Sequence, residues 1–318
     1  MTQPLLAAAE LWKPNTAAEA LECVSGLYGG CAALRDVPAQ ANLTLGQGAI
    51  GEVIATGRPK IVTDFADLGF LTQEAAAADG IGGAALIPSY RQGKVEDVLA
   101  LYFRGGAGAV GAVELWAGTK GRFELSLDQS YYVGLDRFAR ISQYVNFPQG
   151  SGLPGQCWES ALPRIVPDMA TAKGFLRSSG AESDGLSVGL GIPIMQRTEL
   201  RSVFLLLSSN VSPIARVHEV WVEDTTRPGQ LVRSQGVYGG LVDLAESSRD
   251  VAYASGEVAG LPGRAWASGH SELIDGIDEL AEAESKRGDA LRAAGLSFAL
   301  ALPVVVTDRV RGVVVLMG

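Results

Sequence analysis

A nine-residue block of one form occurs three times in this chain, and internal repetition on that scale constrains the architecture before any single residue does. Residues 80–88 read GIGGAALIP, 185–193 read GLSVGLGIP and 295–303 read GLSFALALP, spaced 105 and then 110 residues apart. Each block is Gly, seven residues, then Pro. Ten residues after each proline stands a valine (Val98, Val203, Val313) inside a second short apolar run. Two strands joined by a polar turn fit this spacing, with turns at Gln92-Gly93, Arg197-Thr198 and Thr307-Asp308. Earlier landmarks recur in the same order. They are Glu10-Leu11-Trp12, Glu114-Leu115-Trp116 and Glu219-Val220-Trp221, then Tyr28, Tyr132 and Tyr238, then the turns GAIG, GLPG and GLPG beginning at Gly48, Gly152 and Gly260.

The chain therefore reads as three tandem modules over residues 7–104, 110–210 and 215–318, within what its 318 residues allow. Each module runs strand, strand, irregular segment, glycine turn, short helix, strand, variable segment, hairpin. Mostly antiparallel strands with helices on one side give an α+β fold. The variable segment is helical in copy one (EAAAAD, closed by Gly80) and a loop or short helix in copy two. In copy three it is one long helix from Asp278 to Gly295, weakened at Gly288. The short linkers suggest that the copies pack as consecutive beads.

Residues 45–65, LGQGAIGEVIATGRPKIVTDF, resemble the central signature of GAF domains through Gly46, Gly48, Gly51, Thr56, Gly57, Pro59 and Asp64. Copy two resembles it through Gly155, Ser160, Pro163, Val166 and Asp168, and copy three through Gly263, Ser268, Gly269 and Asp275. The resemblance implies three GAF-like modules, each a mainly antiparallel sheet with helices packed on one side. It also implies a non-enzymatic sensory or regulatory protein that binds a small molecule or a protein partner in signalling. A structural scaffold without ligand is the alternative. A second is a redox enzyme like the GAF-type methionine sulfoxide reductases, using Cys157. The family's range of ligands is wide, so fold alone does not choose among them.

Composition narrows the partners. Apolar residues make up 47% of the chain, enough for packed cores, and the net charge of −9 argues against nucleic acid and anionic membranes. Three cysteines without a CxxC suit a reducing cytoplasm, Met1–Glu10 lacks the basic start of a signal peptide, and no apolar run is long enough to span a membrane. Oligomeric state is not legible.

No catalytic residue, cofactor or metal site is expected. Cys157 begins a short helix but has no second cysteine near it, so a buried core role is favoured. His218 and His270 lie far apart, make no ligand pattern, and suit surface or half-buried positions. Asp64 and Asp168 suit caps of the turns that follow them. Trp12, Trp116 and Trp221 suit core packing, each indole N–H finding one acceptor. The glycine turns lack the lysine of a phosphate cradle. For a ligand, the best-equipped segment is that of copy two, with Lys173, Arg177, Ser178, Ser179 and Ser183 close to Asp168. The expected contacts are Trp158, Asp168, Arg177 and Ser178, with Arg177 gripping a carboxylate. The alternative is that these residues are a solvated loop.

Overall fold

The computed structural model describes residues 4–318 apart from 16, 18, 38–42, 119–122, 173–176, 255–259 and 285. Three antiparallel sheets are present. The first holds β1 (Leu6–Pro14), β2 (Leu21–Leu27), β3 (Lys60–Val62), β4 (Ile81–Arg91) and β5 (Lys94–Arg104), in the order β2-β1-β5-β4-β3. The second holds β6 (Gly111–Gly118), β7 (Glu124–Val133), β8 (Asn146–Pro148), β9 (Arg164–Val166), β10 (Leu186–Gln196) and β11 (Glu199–Ser209), in the order β8-β7-β6-β11-β10-β9. The third holds β12 (Val217–Glu223), β13 (Gln230–Val237), β14 (Ala252–Ala254), β15 (Glu272–Asp275), β16 (Phe298–Val306) and β17 (Arg309–Met317), in the order β14-β13-β12-β17-β16-β15.

The fold is α+β, and the repeat holds at the level of register. Pro88 pairs with Val98, Pro193 with Val203 and Pro303 with Val313. A register shift falls opposite Trp12, Trp116 and Trp221 alike, where β2, β7 and β13 each carry one extra residue, Val24, Asp128 and Ser234. The hairpins turn in two residues at Gln92-Gly93, Arg197-Thr198 and Thr307-Asp308, where Gln92, Arg197, Thr307 and Asp308 adopt left-handed backbone angles. The glycine turns are steric necessities. A Cβ at Gly155 would lie 2.1 Å from the Pro148 carbonyl oxygen, and one at Gly51 would lie 2.8 Å from that of Thr44.

Strands β4, β5, β10, β11, β16 and β17 are apolar almost throughout because both faces are covered. One face carries the tryptophan and packs on its own module's helices, among them Gly48–Thr56, Gly152–Ser160 and Leu261–Ser268. The other face joins a single core shared by all three sheets, with Ile87 and Leu101, Ile192 and Leu206, and Leu302 and Val314 among its members. Pro88, Pro193 and Pro303 meet around one space of about 20 Å³.

The modules are not consecutive beads. They form a closed ring, in which β3 packs on β6 and β7, β9 on β12 and β13, and β15 on β2. The Ile61 N–H donates to Gln129 Oε1 at 2.8 Å and the Ile165 N–H donates to Gln235 Oε1 at 2.9 Å. At the third junction Ser25 takes the place of the glutamine and Leu273 that of the isoleucine. The hairpin tips interlock. The Gln92 N–H donates to the Asp308 carboxylate, the Gln196 amide to the Gly93 carbonyl, and the Thr307 N–H to the Arg197 carbonyl. Closure follows from the apolar inner faces, since a linear string would leave those of the end modules in water.

Two local expectations change. Copy three's variable segment is two helices, Ile277–Ala283 and Gly288–Ala294, rather than one. The break lets the second helix turn back on the first so closely that a Cβ at Gly288 would stand 2.5 Å from the Ala281 carbonyl oxygen. His218 is not at the surface: it is 2% exposed within β12.

Candidate functional site

A buried carboxylate stands two residues before each repeated tryptophan and accepts its indole N–H. The distances are 2.8 Å for Trp12 to Glu10, 2.9 Å for Trp116 to Glu114 and 2.9 Å for Trp221 to Glu219. Residues i and i+2 of a strand share a face, so the Glu-x-Trp spacing delivers both side chains to the module interior. A buried carboxylate needs further partners, and the modules differ in how they supply them.

In module two, Arg177 grips Glu114 with both terminal nitrogens, at 2.5 and 2.9 Å. It also donates to Ser142 Oγ at 2.6 Å, and Tyr132 completes the shell with a hydroxyl donated to Glu114 at 2.7 Å. The guanidinium lies over the rings of Phe138 and Trp116. Module three repeats this with Arg287, Glu219, Ser248 and Tyr238. There Arg287 also donates to Glu284, which accepts from Tyr253 and from the Leu261 N–H. Burial alone would raise the carboxyls of Glu114 and Glu219, but the charge and hydrogen bonds of the arginines prevail and hold both below the usual range.

Module one has no such arginine. Thr72 occupies the position of Arg177 and Arg287, eight residues before the glycine that opens the repeated block. Phe70 packs on Trp12 instead, at 5.1 Å between ring centroids. Glu10 Oε2 accepts from Trp12 and from Tyr102, while no hydrogen bond of good geometry from a described residue reaches Oε1. Burial therefore pushes the Glu10 carboxyl up to about 7, against the hydroxyls of Tyr102 and Tyr28 and the Trp12 indole, which favour its charged form.

The four residues expected to line a ligand have separate duties. Arg177 is 1% exposed and neutralises Glu114, so it lies neither on a solvated loop nor at a cavity open to a ligand. The cause is the buried carboxylate 63 positions earlier, which would be far costlier unpaired. Asp168 is exposed and binds its own turn, accepting from the Ala170 N–H at 3.0 Å and the Thr171 hydroxyl at 2.7 Å. Trp158 is half-buried against the module-two core, and Ser178 is half-buried at the start of the helix Ser178–Ser183. Lys173 lies outside the described residues. Asp64 caps its turn through the Ala66 N–H. The sequence points to Arg177 as a ligand contact rather than as the partner of Glu114 and leaves Arg287 unmarked, although their shared distance from the block glycine is a usable signal.

Cys157 is buried, and burial pushes its thiol up to about 12. Because the thiolate is the reactive form, Cys157 should resist maleimide in the native protein at neutral pH and react once the chain is unfolded, as intact mass before and after denaturation will show. Native labelling at Cys157 would contradict this. Among the described residues no group of three or more His, Cys, Asp or Glu is arranged to hold a metal ion.

Several cavities lie between modules rather than inside them. One of about 430 Å³ separates the module-one hairpin from the module-three helix carrying Trp266 and is lined also by Arg91, Glu96 and Arg309. Beside it His270, half-buried, pairs with Asp97 at 2.9 Å, and Asp97 accepts from Ser89 at 2.6 Å. Another of about 320 Å³ lies between modules two and three.

No family model and no curated protein matches this chain. Solved structures that match at low identity include several GAF domains. The GAF domain of a phosphoenolpyruvate-protein phosphotransferase from Coxiella burnetii is 23% identical over 31% of this chain and 56% of its own, with a TM-score of 0.26. The A. aeolicus nlh2 GAF domain, in an inactive state, is 17% identical over 31% and 58%, with a TM-score of 0.25. The free methionine-R-sulfoxide reductase of Neisseria meningitidis, solved with its substrate, is 16% identical over 31% and 52%, with a TM-score of 0.25. Each match spans about one third of this chain and little more than half of the solved chain.

Proposed function

We propose that this chain is a non-enzymatic regulatory binding protein whose ligand or protein partner is taken up in the clefts between modules. The observation that carries the reading is where space and polar groups coincide. In modules two and three an intrachain arginine fills the place against the buried carboxylate, whereas the inter-module cleft near Trp266 combines an aromatic face with charges of both signs. The GAF-like signature of residues 45–65 supports a sensory role, and the buried, protonated Cys157 thiol speaks against reductase chemistry through that residue. Three free cysteines suit a reducing compartment such as the cytoplasm. Among the described residues no helix is long and apolar enough to cross a membrane.

The scaffold reading is favoured by the filled interiors of modules two and three. A thermal-shift screen against a metabolite library separates the two, since a ligand that binds only the native state raises apparent stability. The binding reading expects at least one compound to raise the midpoint, with the rise reduced in Trp266→Ala and retained in Trp158→Ala if the module-one/module-three cleft is used. A library without a stabilising compound would leave the scaffold reading in its place.

A further inference from the structure

Arg104 ends β5 of module one, and Arg216 stands just before β12 of module three. Both are half-buried and line one cavity of about 460 Å³ between these modules, at the end of the ring away from the hairpin tips. Leu6, Leu27 and Phe298 form its apolar wall. The repeated frame requires neither arginine. The place of Arg104, six residues after the paired valine, is held by Ser209 in module two. The place of Arg216, three residues before the buried glutamate, is held by Ala7 in module one and Gly111 in module two.

Elsewhere the chain gives its enclosed arginines a carboxylate, Glu114 for Arg177 and Glu219 with Glu284 for Arg287. Here it gives none. Among the described residues the Arg104 guanidinium has no hydrogen-bond or ion-pair partner, and its Nε is buried. Arg216 spends one N–H on the Gly295 carbonyl at 3.1 Å and forms no ion pair with a described residue. Asp275 lines the same cavity without pairing with either, and the Gly318 carbonyl oxygen there is taken by the Ser297 and Phe298 N–H groups. Two like charges beside one space repel each other. A guanidinium offers donors only, so its vacant N–H groups call for an acceptor.

We infer that this cavity is a binding site for a small organic monocarboxylate with a compact apolar body. A carboxylate matches the guanidinium fork with two parallel bonds and neutralises the facing cations. Asp275 opposes a second negative charge, which favours a monoanion over a phosphate dianion. The wall of Leu6, Leu27 and Phe298 gives an apolar body contacts that an inorganic ion would not use. The inference rests on the binding reading above and names a ligand class for one of its clefts.

The test uses the full-length protein with benzoate as probe. Benzamide keeps the shape without the charge, acetate keeps the charge without the ring, and inorganic phosphate is the other oxyanion. At up to about 10 mM, benzoate should raise the unfolding midpoint, and each of the other three should bind about tenfold or more weakly. Arg104→Gln and Arg216→Gln should each lose the response. Arg311→Gln, which removes an exposed charge near the hairpin tips, should keep it. Added NaCl should weaken the wild-type response to benzoate, and this supplies the answer should the cavity variants fail to fold. The inference is overturned by no response to benzoate, by an equal response to benzamide or phosphate, or by a response that persists in both folded cavity variants or is indifferent to salt. Loss of the response in Arg311→Gln overturns it too, because general positive charge would then suffice. If benzoate fails while other library compounds stabilise the protein, only this inference falls. If no compound stabilises it, the binding reading falls as well.

Discussion

Arg177→Ala should destabilise the protein by about 3–5 kcal/mol, the range for removing one partner of a buried ion pair. The substitution strips Glu114 of both guanidinium bonds and leaves Ser142 without its donor. It also takes the cation from over Phe138 and Trp116. Glu114, held below the usual carboxylate range by the arginine's charge and bonds against burial, would then be driven to take up a proton. Urea unfolding followed by tryptophan fluorescence reads the effect, since Trp116 lies within the cluster. The double variant Arg177→Met, Glu114→Gln should recover most of the loss, because it leaves no unpaired ion and keeps a side-chain oxygen to accept from Trp116 and Tyr132. A single variant within about 1 kcal/mol of wild type would mean that the pair contributes little, as exposed pairs do.

Two buried groups should give the protein opposed pH responses. Burial lowers His218 from 6.5 to about 4, so between those values the unfolded chain binds more protons and stability rises with pH. Burial raises Glu10 from 4.5 to about 7, so between those values the folded chain binds more protons and stability falls as pH rises. Each displacement corresponds to about 3 kcal/mol across its window. In the wild type the two largely cancel between pH 4.5 and 6.5. Compared with wild type, Glu10→Gln should gain stability as pH climbs from 4.5 to 7. His218→Leu should lose it, again relative to wild type, as pH climbs from 4 to 6.5. Denaturant titrations of the three proteins at several pH values check this. The differences between proteins are the readout, because the remaining groups contribute equally to each. Parallel pH profiles would show that neither group titrates with folding as the burial implies.

The contrast between Glu10 and Glu114 shows where the repeat stops being symmetric. All three Glu-x-Trp pairs are visible as landmarks, and so are Tyr28, Tyr132 and Tyr238. Their meaning as one buried cluster is not, because glutamate is nearly always exposed unless paired. The pairing cations sit in the least repetitive segment of each copy. Arg177 reads there as one more polar residue beside Ser178 and Ser179, and Arg287 as part of a helix surface.

From sequence alone come the three copies, the strand register set by Gly-x7-Pro, the hairpin turns and the capping aspartates. All depend on contacts a few residues apart or on a pattern repeated along the chain, so local spacing suffices to specify them. The tertiary structure decided the closed ring, the junction cavities, the burial of His218 and the destination of Arg177. The apolar inner face of a strand states that something must cover it, but two other sheets, from elsewhere in the chain, do the covering. A charged side chain likewise carries no local mark of its fate. Whether it faces water or a carboxylate 63 residues away depends on whether the fold buries that carboxylate, and only the assembled core sets that desolvation cost.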